Sequence, residues 1–336
     1  MDADYIVVGT GSAGAVLASR LSAVPGARVA VVEAGPPDKD KFIHIPAAFA
    51  KLFGGPVDWN YLTEPQKQLD GRQIYWPRGK TLGGSSSMNA MMWVRGFAAD
   101  YDEWGERASA DWSFAGVEKY FKRIEQGPLV VSPQRSPCSS TAAFLSAVEE
   151  RGHQVEAPNL PSPEGFCQTL VTQRRGARWS TADAYLKPAL RRQNLRLFTD
   201  AHVTRVLFDG NRAVGVEIDT DGRRQVVRAR REVLLCAGAI NTPQLLMLSG
   251  IGDRDQLAEH GIESVHHAPV VGANLLDHLV VPLGFDADCQ TLFAAEKPLQ
   301  LVNYLARRRG MLTSNVGEAY GFVRSRPELA LPDLEL

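Results

Sequence analysis

An excess of charge of one sign is missing from this sequence: 37 Lys and Arg stand against 38 Asp and Glu, a formal net charge of −1. That balance removes the electrostatic footprint of a nucleic-acid binder, which needs a basic surface to displace counterions from phosphates. No local block restores it, because Arg228, Arg230 and Arg231 are interleaved with Ala229 and run straight into a strand. Cysteine is scarce. Cys138, Cys167, Cys236 and Cys289 are far apart, with no CxxC and no His at metal-ligand spacing. Neither a disulfide framework nor a metal site is expected, and the thiols are read as reduced. Long hydrophobic runs are also lacking. The most apolar stretch, 233–251, contains Asn241, Thr242, Pro243 and Gln244, so it cannot supply the roughly 20 apolar residues of a membrane span. Asp2 and Asp4 stand where a signal peptide would carry base. These absences lead to the expectation of a soluble cytoplasmic protein. Its 336 residues suggest about two domains.

Residues 5–8 form a short continuous apolar run, the pattern of a fully buried parallel strand. It ends at Gly9-Thr10-Gly11-Ser12-Ala13-Gly14, and Ala13, Val16, Leu17, Leu21 and Val24 then recur at helical spacing. A second buried strand, 29–32, ends at Glu33. In this βαβ unit Gly9 permits a tight turn, Gly11 lets the backbone approach a pyrophosphate, and Gly14 allows close helix–strand packing. The helix N-terminus offers free N–H groups to the phosphates, and a carboxylate at the end of the next strand can accept both ribose hydroxyls. The pattern therefore specifies a dinucleotide site in an α/β fold.

Residues 36–75 are rich in Pro, Gly and aromatics without a period, and are read as excursions over the surface. Between 100 and 123, Trp104, Trp112, Phe114 and Phe121 suggest helices packed on a core. Residues 203–208, 213–219 and 225–229 are β-rich and separated by hairpin signals, which predicts a three-stranded meander. Residues 232–236 predict a separate buried strand leading into a helix with Leu245, Leu246 and Leu248. The last residues, 329–336, resemble the start of a strand.

Gly83-Gly84-Ser85-Ser86-Ser87-Met88-Asn89 combines close backbone approach with many small donors, which suits a flat heteroaromatic ring with polar edges. A flexible linker would be polar on both sides, whereas Tyr75-Trp76-Pro77 precedes this segment and Met91-Met92-Trp93 follows it. Together with 5–14, Glu33-Ala34-Gly35, 76–102, 176–182, 238–252 and 271–278, it resembles the glucose–methanol–choline (GMC) flavoprotein oxidoreductases, in particular the bacterial choline and alkyl-alcohol dehydrogenases.

The resemblance implies an FAD-binding Rossmann-like domain with an inserted β-meander, plus part of a discontinuous substrate-binding domain. The expected FAD-binding domain comprises 1–40, 76–150 and 200–280, and the partial substrate-binding and cofactor-covering part 41–75, 151–199 and 281–336. By position, Gly9, Gly11, Ser12, Ala13 and Gly14 would hold the pyrophosphate, with Glu33 and Ala34 at the adenosine ribose. Thr81, Gly84, Ser85, Asn89, Ala90, Met91 and Met92 would lie against the flavin and its ribityl chain. Val203 would contact the adenine end, and Asn274, Asp277 and His278 would close over the flavin side. Some members attach FAD through a His just before the Asn89 position; Met88 stands there, so a non-covalent cofactor is expected.

Alcohol oxidation by a flavin needs a base for the hydroxyl proton, and His is suited to it because its pKa lies near neutrality. The resemblance places that base in a C-terminal segment this chain does not contain. The seven histidines are His44, His153, His202, His260, His266, His267 and His278. None can be named catalytic: His266 and His267 read as a surface pair, and His278 matches a flavin-domain position. Tyr320 and Glu318 belong to no motif. The expected function is oxidation of an alcohol, choline-like or aliphatic or aromatic, with oxygen or a quinone as electron acceptor and peripheral association with the inner membrane left open. A flavin-binding module without a base and a fatty-acid photodecarboxylase-like lyase are the alternatives.

Overall fold

The structure, a computed structural model, describes residues 2–286, 288 and 291–336. Cys289 lies outside the described residues; Cys138, Cys167 and Cys236 are not disulfide-bonded. The elements used below are β1 (Asp2–Val8), α1 (Ser12–Leu21), β2 (Val29–Val32), α2 (Ala98–Arg107), α3 (Phe114–Glu125), α4 (Ser139–Glu150) and β3 (Gly165–Gln168). They continue with β4 (Leu195–Phe198), β5 (His202–Asp209), β6 (Arg212–Thr220), β7 (Arg223–Leu235), α5 (Gly238–Leu248) and α6 (Arg254–Glu259). The last are α7 (Pro298–Arg307), β8 (Ala319–Val323) and β9 (Leu334–Glu335).

The chain divides into two compact units, Met1–Lys39, Leu52–Met88 and Thr181–Gly284 in the first, and Asp40–Lys51, Asn89–Ser180 and Phe285–Leu336 in the second. Both units are discontinuous in sequence. Residues 52–75 and 181–199 belong to the first unit, and 89–150 to the second. The physical reason is where their side chains are buried: Leu52 and Val57 are core residues, not surface excursions.

The first unit is built on a six-stranded sheet in the order β4-β2-β1-β7-β6-β5. β4, β2, β1 and β7 are parallel, with Tyr5 opposite Val29 and Val8 opposite both Val32 and Leu235. All four residues of β2 are buried, each valine side chain contributing about 1.5–3 kcal/mol. The third meander strand is longer than expected: 225–229 and 232–235 fuse into the 13-residue β7 because no turn residue separates them. The first half of β7 pairs antiparallel with β6 and its second half parallel with β1, across a bulge at Ala3/Tyr5. The meander is therefore an extension of the parallel sheet, and Val203, Val206, Val216, Ile218 and Val227 share a core with Ile6, Val8 and Val32.

The second unit carries a three-stranded sheet, β9-β8-β3, in which Tyr320 faces Cys167 and Phe322 faces both Gly165 and Glu335. The strand-like chain end is thus a two-residue strand on β8. Helices α2 and α3 occupy the aromatic stretch as expected, but Trp104 and Trp112 are exposed. They pack on each other, ring centroids 6.3 Å apart, instead of on a core.

Candidate functional site

In the first unit, parallel strands deliver the chain to one edge of the sheet, where Val8, Val32 and Leu235 line a cavity of about 490 Å³. Such crevices beyond the carboxyl ends of parallel strands are where open α/β sheets bind ligands. Two helices start there. Gly11, Ser12 and Ala13 at the start of α1, and Ala237 to Thr242 at the start of α5, all face the cavity. Neither helix has a side-chain cap, so the first-turn N–H groups and the positive dipole ends are available to an anion.

The glycines make this geometry possible. A Cβ on Gly14 would sit 1.9 Å from the carbonyl oxygen of Gly9, so any side chain would drive α1 off the β1 turn. A Cβ on Gly11 would meet only Gly84, at 3.9 Å. The backbone at Gly11 therefore borders open space, as an approaching phosphate requires.

Glu33, at the end of β2, is buried and is not the solvated loop acid that a carboxylate after a strand commonly is. Its Oε2 accepts the Thr10 N–H at 2.9 Å and the Thr10 hydroxyl at 2.6 Å, and its Oε1 accepts the Gly35 N–H at 3.0 Å. Burial raises its pKa, against the opposing pull of these hydrogen bonds.

One cavity wall was not legible as part of a site. Trp59 and Tyr61 stack with centroids 5.7 Å apart, and His202 meets Trp59 edge-on at 5.8 Å. The Tyr61 hydroxyl donates to Asn241 Oδ1 at 2.5 Å, which ties this wall to the start of α5. Burial, with the Lys80 charge behind it, holds His202 below the usual imidazole range, so the ring is neutral at pH 7. The only sequence signal was the Trp59-Asn60-Tyr61 aromatic pair within an aperiodic stretch.

Of the residues singled out by sequence, Gly9, Gly11, Ser12, Ala13, Glu33, Ala34, Gly84, Ser85 and Val203 line the cavity. Gly14 lies behind them. Thr81 is fully buried and donates to the Pro36 carbonyl at 2.9 Å, so its hydroxyl is spent on the fold. Met88 is buried. Asn89, Ala90, Met91 and Met92 belong to the second unit. There the Asn89 Oδ1 accepts from the Met91 N–H and from Arg178 Nη1, and the Ala90 carbonyl accepts from Asn315. Asn274, Asp277 and His278 are exposed in an irregular stretch and line no part of this cavity. His266 and His267 are exposed, as expected.

The second unit has its own cavity, about 1080 Å³, with Phe42, Phe144, Leu292 and Leu312 among its apolar walls and Glu318 among its polar ones. Glu318 is buried; its Oε2 accepts the Cys138 N–H at 2.7 Å and the Thr141 hydroxyl at 2.6 Å, while Oε1 meets no partner. Among the described residues, no group of three or more His, Cys, Asp or Glu could hold a metal ion, and no helix is long and apolar enough to cross a membrane.

The family model described as GMC oxidoreductase matches residues 3–280. The chain belongs to the GMC oxidoreductase family. Relatives of this GMC chain include a GMC-type oxidoreductase of Mycobacterium tuberculosis, 68% identical over 99% of the chain and 66% of the relative. An alcohol dehydrogenase [acceptor] of Pseudomonas putida is 42% identical over 99% of the chain and 64% of its own length. The mitochondrial choline dehydrogenase of Homo sapiens is 43% identical over 98% and 60%. Among solved structures, formate oxidase superposes with a TM-score of 0.87 at 27% identity, covering 99% of this chain and 67% of that one. Pyridoxine 4-oxidase from Mesorbium loti gives 0.75 at 34% identity, covering 80% and 55%. The GMC chain thus spans 66% or less of the length of these curated relatives.

The first cavity's donor set can be tested against a dinucleotide. A pyrophosphate needs convergent N–H groups, a ribose needs an acceptor pair, and an adenine needs a flat, mostly apolar slot. The α1 and α5 N-termini, Glu33, and the Trp59–Tyr61 wall with Val203 supply these in turn, so the residues fit.

Proposed function

We propose that this GMC chain binds FAD non-covalently through the first unit, and that the protein oxidises the CH–OH group of an alcohol, with oxygen or a quinone as acceptor. The observation that carries the reading is the convergence of two uncapped helix N-termini and a buried carboxylate on one cavity. The backbone of Gly11, Ser12 and Ala13 would hold the pyrophosphate, Glu33 the ribose hydroxyls, and Val203 with Trp59 the adenine. When bound, FAD supplies a two-electron acceptor for the hydride of the alcohol carbon. Met88 has no nucleophile to tether it, which supports a dissociable cofactor.

The chain's own residues also constrain the substrate. In the second unit's cavity, the mainly apolar walls support an alcohol with an apolar body. His202, held against Trp59, belongs to the cavity wall.

The test is the visible spectrum of the FAD-reconstituted protein during anaerobic additions of choline, an aliphatic and an aromatic alcohol. Bleaching by one of them is the expected result. A flavin band that no alcohol bleaches would refute the proposed reaction, and failure to retain any flavin would refute the cofactor reading.

A further inference from the structure

An ionised carboxylate has about four positions at which it can accept a hydrogen bond, two on each oxygen. In Glu33 most of them are filled from within the protein. Oε2 takes two donors from one residue, the Thr10 N–H at 2.9 Å and the Thr10 hydroxyl at 2.6 Å. Oε1 takes the Gly35 N–H at 3.0 Å. The position left for a ligand is therefore on Oε1.

The Thr10 hydroxyl is held in this role from two sides. Its oxygen accepts the Gly83 N–H at 3.3 Å, so its single proton is left for Glu33. The Thr10 carbonyl accepts the same N–H at 3.1 Å, which pins residue 10 between Glu33 and the Gly83 turn. Thr10 lines the first unit's cavity and is fully buried. A ribose hydroxyl that displaced it from Oε2 would exchange one charge-assisted hydrogen bond for another. It would also leave a buried hydroxyl without an acceptor, so the exchange is unfavourable.

We infer that Thr10 sets the hydroxyl selectivity of the cavity: with its own hydroxyl on Oε2, Glu33 engages one ribose hydroxyl of the dinucleotide, through Oε1, and not both. The inference rests on the cofactor reading and narrows what Glu33 does in it. Thr10 acts through Glu33 and is a positioning residue. A side chain of the same shape without a hydroxyl would return the second position on Oε2 to the ligand.

The test is calorimetric titration of the cofactor-free 336-residue protein with ADP, 2′-deoxy-ADP and 3′-deoxy-ADP, followed in each case by displacement with FAD. In the wild type, one deoxy form should bind about tenfold more weakly than ADP, and the other within about threefold of it. In Thr10→Val, both deoxy forms should fall about tenfold below that variant's own affinity for ADP. Thr10→Ser keeps the hydroxyl and should keep the one-sided pattern. A merely structural role for Thr10 would change all three affinities by one factor and leave their ratios as in the wild type. Because Thr10→Val could fail to fold, the wild-type ratios are a test by themselves. Equal affinities of the wild type for the two deoxy forms, or wild-type ratios in a folded Thr10→Val, would overturn the inference and leave the cofactor reading standing. No binding of ADP, or bound ADP that FAD does not displace, would overturn the cofactor reading and the inference with it.

Discussion

Around the first unit's cavity Glu33 accepts three hydrogen bonds and Tyr61 is tied to Asn241, whereas the second unit buries Gln134 Oε1, Thr169 Oγ1, Gln173 Oε1 and Glu318 Oε1 without partners. A buried polar atom left unsatisfied costs about 1–3 kcal/mol. The first cavity is therefore organised before any ligand arrives, which lowers the ordering cost of binding. Of the second unit's unsatisfied groups only Glu318 belongs to a cavity wall, and each leaves its cost in the fold. The contrast separates a satisfied cavity from an under-satisfied polar interior.

The largest expected effect tests the cradle's backbone. Gly14→Val would place side-chain atoms against the Gly9 carbonyl, where even a Cβ has only 1.9 Å. It should cost about 3 kcal/mol or more, read as the shift of the urea midpoint, and should abolish flavin retention. A mutant that unfolds like wild type would break the claim that α1 is locked onto the β1 turn.

Glu33→Gln should weaken cofactor binding and remove a pH dependence of stability. Losing charge-assisted bonds to the ribose should weaken FAD affinity by about 1.5–3 kcal/mol. The sign for stability follows from the raised pKa. The carboxyl's contribution is fully present below its ordinary value of 4.5 and is lost as pH rises through the raised folded value. The stability of the cofactor-free wild type should therefore fall as pH rises above that ordinary value. Glu33→Gln should lack this slope, as followed by chemical denaturation across pH. Equal affinities for FAD would show that Glu33 serves only Thr10 and Gly35.

In the second unit, Thr141→Val removes the hydroxyl that donates to Glu318 Oε2. Adding to an already under-satisfied carboxylate, it should cost about 2 kcal/mol, measured by urea unfolding. A neutral result would mean that the second unit tolerates its open acceptors and would erase the contrast. The smallest effect is expected from Trp59→Leu, which keeps an apolar wall but removes the stack on Tyr61. FAD affinity should fall by about 0.5–1.5 kcal/mol, with thermal stability nearly unchanged.

The βαβ unit was readable because its signals are local: an apolar strand, a glycine turn, a helical period and Glu33 at the next strand's end. The fused strand β7 was not, because Arg230 and Arg231 look like the end of one exposed strand, whereas pairing with β1 across the bulge carries the chain on. The Trp59–Tyr61 wall was illegible for a related reason, since residues 52–88 owe their place in the first unit to tertiary burial and not to periodicity. Thr81 shows the limit of matching by position: a hydroxyl in the right motif is consumed by the Pro36 carbonyl. Glu318 had no sequence signal at all, because its partners lie about 180 residues earlier, at the start of α4.

The most direct test is a calorimetric titration of the cofactor-free protein with FAD, in parallel with Glu33→Gln, followed by acid precipitation. The account predicts one FAD per chain, weaker binding to the variant, and all flavin released to the supernatant. Equal binding by both proteins, no binding by either, or flavin retained in the protein pellet would contradict it.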